Sequence, residues 1–103
     1  MNKKYEIKYL EVFYKDLSSI INYIKYELGN EDAARNLLNK IVQEISKRSY
    51  NPEAYEKYLS IRKRKDTYYR IYVKNYTIFY VVKDNTMEVR RIIYSKRNLK
   101  NMI

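Results

Sequence analysis

Apolar and polar residues alternate at the start of the chain, with Tyr5, Ile7 and Tyr9 on one side and Glu6 and Lys8 on the other, which predicts a short strand. The period then changes. Leu17, Ile20, Ile21, Ile24 and Leu28 recur at the three-and-four spacing of an amphipathic helix, with Asp16 placed to cap its start and Gly29, the only glycine, placed to end it. A second helix follows from Asn30 as cap. Glu31 and Asp32 fall in its first turn, where the helix dipole favours negative charge, and Ala34, Leu37, Leu38, Ile41, Val42 and Ile45 form its apolar face. So short a connection predicts an antiparallel helical hairpin.

Pro52 marks the passage into a loop that runs through Tyr55 and Tyr58, after which the period returns to two. Tyr68 to Val73, Tyr76 to Lys83 and Met87 to Tyr94 are rich in Tyr, Ile, Val and Phe, and the loops between them are short enough for two consecutive hairpins. The segment Tyr76 to Val82 is apolar or aromatic on both faces and is expected at the centre of the sheet. Residues Asn98 to Ile103 are expected to add one helical turn. The predicted fold is α+β: an N-terminal strand, then an antiparallel helical hairpin packed on one face of an antiparallel sheet with a C-terminal three-strand meander. The other sheet face is left available. One domain spanning 1–103 is expected, since 103 residues support a single core.

Composition narrows the chemistry. The chain has no cysteine and no histidine, which removes disulfides, thiolate metal sites, the commonest metal ligand and the usual acid or base near neutral pH. No metal or cofactor is expected. There is no secretory leader pattern and no run approaching the roughly 20 apolar residues of a spanning helix, so a cytoplasmic protein without membrane contact is expected. Catalysis, if any, falls to Lys, Arg, Tyr, Glu, Asp or Ser. No GxGxxG, Walker loop or histidine-based triad is present.

The net charge of +10 is unevenly distributed. Residues 1–56 carry nine basic and nine acidic side chains, whereas residues 57–103 carry thirteen basic against Asp66, Asp84 and Glu88. The second half therefore holds the whole excess, a directed positive potential suited to a polyanion or an acidic protein segment. Candidate nucleic-acid contacts are the run Arg62, Lys63, Arg64 and Lys65, together with Arg90, Arg91 and Lys96 on or beside the meander. They are interleaved with Tyr68, Tyr72 and Tyr94, and such cations and rings suit phosphates and exposed bases. About half of the meander tyrosines are expected to serve packing instead.

The order of elements and the wording of several segments resemble toxins of the RelE/ParE superfamily of type II toxin-antitoxin systems. The run Lys15-Asp16-Leu17-Ser18-Ser19-Ile20-Ile21-Asn22-Tyr23-Ile24 resembles the first-helix pattern of that family, and Ala34 with Leu37, Leu38 and Ile41 resembles the second. The run from Tyr69 to Tyr80, and Arg91-Ile92-Ile93-Tyr94-Ser95-Lys96-Arg97, resemble its strand core and final-strand ending. The resemblance covers nearly the whole chain. It implies a toxin neutralised by a cognate acidic antitoxin. Members similar to RelE cut mRNA on the ribosome with basic residues of the sheet, whereas those similar to ParE inhibit DNA gyrase. Carried onto this chain, it implies catalytic roles for Arg70 and for Arg97 after the last strand, with Tyr94 as proton carrier where many members have histidine. Thr77 stands where the family commonly has arginine, and Ile103 ends the chain near where a terminal tyrosine would lie. Ribosome-dependent, metal-independent mRNA cleavage is the leading expectation, since the positive charge suits RNA; gyrase inhibition without catalysis is the alternative.

Overall fold

The structure is a computed structural model that describes residues 4–58 and 66–97. Strand β1 (Glu6–Tyr9) leads directly into helix α1 (Glu11–Asn22), which closes in a π-helical turn (Tyr23–Glu27) before helix α2 (Glu31–Arg48). A single 3-10 turn (Pro52–Ala54) precedes strands β2 (Tyr69–Val73), β3 (Tyr76–Lys83) and β4 (Thr86–Tyr94). The α+β fold and its meander are as expected, and the strand boundaries differ from the predicted ones by one residue at two ends.

The strand order is β1-β4-β3-β2. The meander is antiparallel, but β1 joins it parallel to β4, pairing Glu6 with Thr86 through Tyr9 with Val89. The four-stranded sheet is therefore mixed rather than antiparallel throughout. The direction follows from connectivity: the hairpin of helices returns the chain to the far edge with β2 in the sense of β1, and the two reversals of the meander bring β4 alongside β1 in that same sense.

Helix α1 begins at Glu11, earlier than the expected cap at Asp16, because β1 passes straight into it once the Leu10 amide has donated to the Val89 carbonyl at 3.0 Å. Asp16 thus lies inside the helix. The second cap is as read: the Ala33 amide donates to Asn30 Oδ1 at 3.0 Å, and Glu31 and Asp32 occupy the first turn. Between the helices, Leu28 donates to the Tyr23 carbonyl at 3.0 Å, a bond of π register, and Gly29 then takes φ +61°, where a side chain would be strained.

Alternation along the strands defines two faces. Tyr69, Ile71, Val73, Ile78, Tyr80, Met87, Val89 and Ile92 join Phe13, Leu37, Ile41 and Ile45 of the helices in one buried core. The opposite face is not bare, contrary to expectation. Phe79 and Val81 are buried there, and the Tyr58 ring meets Phe79 edge-on at 5.1 Å. Tyr58 reaches this position because residues 56–58 run beside β2: Arg70 donates its amide to the Glu56 carbonyl at 3.1 Å, Tyr58 to Tyr68 at 2.7 Å, and Lys57 bridges Tyr69.

Candidate functional site

The expected site residues lie on both faces of the sheet. Arg70 shares its side of β2 with Tyr72, opposite Tyr69 and Ile71 of the core, and is paired in register with Phe79. Its guanidinium bonds the Glu56 carboxylate and lies near the Tyr58 and Tyr72 rings, at 5.8 and 5.3 Å from their centroids. The hydrogen bond from Arg70 holds the Glu56 carboxyl below its ordinary value, and the same bond raises the already high value of Arg70. Arg70 is therefore a charge already answered.

Arg90 and Arg91 meet carboxylates too. Strand β4 carries one extra residue opposite the Phe79/Tyr80 step, a bulge that re-aims both arginines. Arg90 donates Nε to Glu88 at 2.7 Å and Nη1 to the Tyr68 hydroxyl at 3.0 Å, with Asp66 3.1 Å away. Arg91 grips Asp16 of α1 with two bonds, 2.7 and 3.0 Å, in the fork geometry of a bidentate pair. Asp16 also accepts the Ile92 amide at 3.2 Å, so one carboxylate fastens the helix to the edge of β4 beyond the last residue of β1.

Tyr94 and Arg97 lie elsewhere, at a cleft of about 720 Å³ between α1 with its π turn and the end of the sheet. One wall is Asp16, Ser19, Ile20, Tyr23 and Leu28; the other is Tyr76, Ile92, Ile93, Tyr94 and Arg97. The Tyr76 and Tyr94 rings meet edge-on at 5.8 Å, and burial pushes the Tyr76 hydroxyl above its ordinary value, so it stays neutral near pH 7. The turn after β4 is held by Arg97 donating its amide to Tyr94 and by Ser95 donating to the Asn75 carbonyl at 2.8 Å. That places Lys74, Lys96 and Arg97 at one end of the sheet. None of the three is in an ion pair with a described carboxylate.

Thr77 is fully buried, and its hydroxyl pairs with that of Ser95 at 2.7 Å. Arg62, Lys63, Arg64 and Lys65 lie outside the described residues, as do Asn98 to Ile103. The structure thus brings Tyr94, Arg97 and Lys96 together and sets Arg70 apart on the other face, while Arg90 and Arg91 tie elements to one another. Sequence reasoning missed the roles of Asp16 and Glu56. Each is an acidic residue separated in sequence from its arginine, and local spacing carries no signal for such a pair. Among the described residues no group of three acidic side chains is arranged to hold a metal, and no described helix is long and apolar enough to cross a membrane.

Comparison with known proteins agrees with the fold. Among curated proteins none matches the chain. Similar solved structures include the chromosomal ParDE toxin-antitoxin system from P. aeruginosa, 14% identical, covering 90% of this chain and 98% of that one at a TM-score of 0.73. The archaeal RelE-RelB complex from Pyrococcus horikoshii OT3 is 17% identical over 92% of this chain and 99% of that one, with a TM-score of 0.60. The RelB-RelE antitoxin-toxin complex from Methanococcus jannaschii is 22% identical over 93% and 98%, at 0.53. The model of the family described as the ParE toxin of the type II toxin-antitoxin system, parDE, matches residues 7–99. With nine tenths of its length inside that match, and with the mixed sheet and helical hairpin of its structural relatives, the chain belongs to the ParE toxin family of type II toxin-antitoxin systems.

Proposed function

We propose that this toxin inhibits growth in the manner of ParE, by binding DNA gyrase, and that it does not cut ribosome-bound mRNA. The observation that carries the reading is the separation of Arg70 from Tyr94 and Arg97 by the thickness of the sheet. Metal-free RNA cleavage needs a base for the 2′-hydroxyl, a cation on the phosphate and an acid for the leaving oxygen, all within hydrogen-bond reach of one phosphodiester. Here the Arg70 charge is held by Glu56, and among the described residues that line the cleft with Tyr94 and Arg97 the one carboxylate is Asp16, already engaged by Arg91. The buried Thr77–Ser95 pair supports the same reading, because it fills the position at which the ribonuclease branch commonly has an arginine. The family match to ParE supports it independently.

In this reading the positive end of the molecule serves protein recognition. Lys74, Lys96 and Arg97 would face an acidic antitoxin in the resting complex, and the protein acts in the cytoplasm, where its target is. Arg70, Arg90 and Arg91 serve as framework. A cell-free translation reaction with purified toxin and a defined mRNA, its 5′ ends mapped by primer extension, tests the negative half of the proposal. Intact mRNA and undiminished translation are expected. New 5′ ends in step with the codons, present only with ribosomes, would overturn it.

A further inference from the structure

Strand β2 ends the row of four strands on the side away from β1, and three residues close its outer edge. The Arg70 amide donates to the Glu56 carbonyl at 3.1 Å and the Tyr58 amide to the Tyr68 carbonyl at 2.7 Å, while Lys57 bridges Tyr69 in the antiparallel sense. Their side chains hold the face beside that edge: Glu56 bonds the Arg70 guanidinium, and the Tyr58 ring stands edge-on to the buried Phe79. The chain before them is pinned separately. Arg48 lies over the Tyr55 ring at 4.1 Å, and the Pro52 carbonyl accepts the buried Tyr80 hydroxyl at 2.6 Å. Residues 56–58 are thus a strap whose root is fixed in the core and whose own hold is two main-chain bonds, one ring contact and an ion pair with an exposed carboxylate, which holds weakly.

A strand edge stripped of its cover is a template for another strand. We infer that residues 56–58 guard the β2 edge: seated, the strap keeps the chain monomeric, and lifted, it lets two copies join β2 to β2. The occupant follows from the order of residues in the strand. Alternation turns the amide and carbonyl of Tyr72 the same way as those of Arg70, so both residues offer main-chain groups to a partner strand. In an antiparallel pair about a two-fold axis at Ile71, Arg70 stands opposite the partner's Tyr72 and Ile71 opposite its own counterpart, and each contact occurs twice. A guanidinium beside a phenol ring is the contact that Arg70 already makes with Tyr72 of its own chain, at 5.3 Å. The neighbouring registers would set Arg70 against a second Arg70 or against Lys74, like charges directly opposed, so charge selects the one register. The inference is independent of the toxin's cellular target and of its antitoxin.

Hydrogen exchange on the intact protein reads the strap directly. The Arg70 amide is expected to show at least about tenfold less protection than the Ile71 amide, which is turned toward Ile78 of β3, because lifting the strap frees the first and not the second. Equal protection would mean that the strap opens only with the whole sheet, and would overturn the guard. Glu56→Lys sets a cation against Arg70, and Tyr58→Pro removes the amide donor. Each should lower Arg70 protection about tenfold further with Ile71 unchanged, and should turn a monomer into a concentration-dependent dimer in sedimentation velocity. Adding Tyr72→Lys, at an exposed position, should return both to monomer, since a lysine then faces the partner's Arg70. Unchanged Arg70 protection in both strap variants would overturn the strap's hold on the edge. Variants that open the edge and stay monomeric would overturn the pairing, and dimers that survive Tyr72→Lys would overturn its location.

Discussion

At the scale of single residues, a count of cations overstates what this protein can offer a polyanion. Arg70, Arg90 and Arg91 share one fate for one reason: each guanidinium at or near the sheet surface has lost part of its hydration, and each finds a carboxylate that restores it. For Arg70 the consequence is functional. Arg70→Ala should leave growth inhibition, measured after induction without antitoxin, within about threefold of the parent, since a framework arginine at the surface contributes little to recognition elsewhere. Loss of inhibition in a variant with unchanged circular dichroism would return Arg70 to the working site. The pair also has a pH signature. The Glu56 carboxyl is lowered from an ordinary 4.5, so its contribution to stability is present above that value and is lost as pH falls through the lowered one; Glu56→Gln should flatten the acid limb of the stability profile. Tyr80 makes the opposite kind of contact, fully buried with its hydroxyl donated to the Pro52 carbonyl at 2.6 Å. Tyr80→Phe should cost about 1–2 kcal/mol in chemical denaturation, because the carbonyl is left without its donor; no change would mean that another donor replaces it.

At the scale of elements, the Asp16–Arg91 fork does what a longer β1 would otherwise do, holding α1 against the edge of β4. Asp16→Ala should lower unfolding free energy by about 2–4 kcal/mol, measured by denaturant titration, by removing the bidentate bonds to Arg91 and the acceptor of the Ile92 amide. Arg91→Ala in the same background should add much less than its own single cost. Additive costs would show that the two residues act separately. The same clamp shows where sequence reading succeeds and where it stops. The hairpin turns at Lys74-Asn75 and Asp84-Asn85, the Asn30 cap and the Gly29 stop are local chemistry, and all of them are legible in the pattern of residues. The parallel docking of β1, the Asp16–Arg91 and Glu56–Arg70 pairs and the bulge in β4 depend on residues far apart in sequence, and no local period encodes them. Asp16 was legible as a helix-associated acid but its role was not, since a residue before an apolar stripe reads as a cap whether or not the helix begins there. For the candidate site, Tyr94 and Arg97 could be placed together from the resemblance. That Arg70 faces the other way required the register of three strands.

At the scale of the molecule, burial of phenols sets a limit on the alkaline side. Tyr80, Tyr69, Tyr76 and Tyr9 are all raised above their ordinary value of 10, each first by desolvation. The unfolded chain therefore loses these protons before the folded one, so stability holds below about pH 10 and falls as pH rises beyond it. A thermal midpoint that is level up to about pH 9 and drops steeply by about pH 11, with a shallower drop in Tyr80→Phe, is the expected result. A midpoint independent of pH over that range would mean that these rings ionise while folded. The distribution of charge has the larger consequence. Carboxylates from the loop before β2, from α1 and from β4 itself neutralise the middle of the meander, while Lys74, Lys96 and Arg97 lie at the end where the cleft opens without a described carboxylate in ion-pair distance, a local charge suited to an acidic polypeptide. The claim that follows is tested most directly by adding purified toxin to DNA gyrase, ATP and relaxed plasmid and measuring supercoiling. Loss of supercoiling in proportion to toxin, relieved by antitoxin, is the expected result; undiminished supercoiling at toxin in large excess over gyrase would contradict gyrase binding.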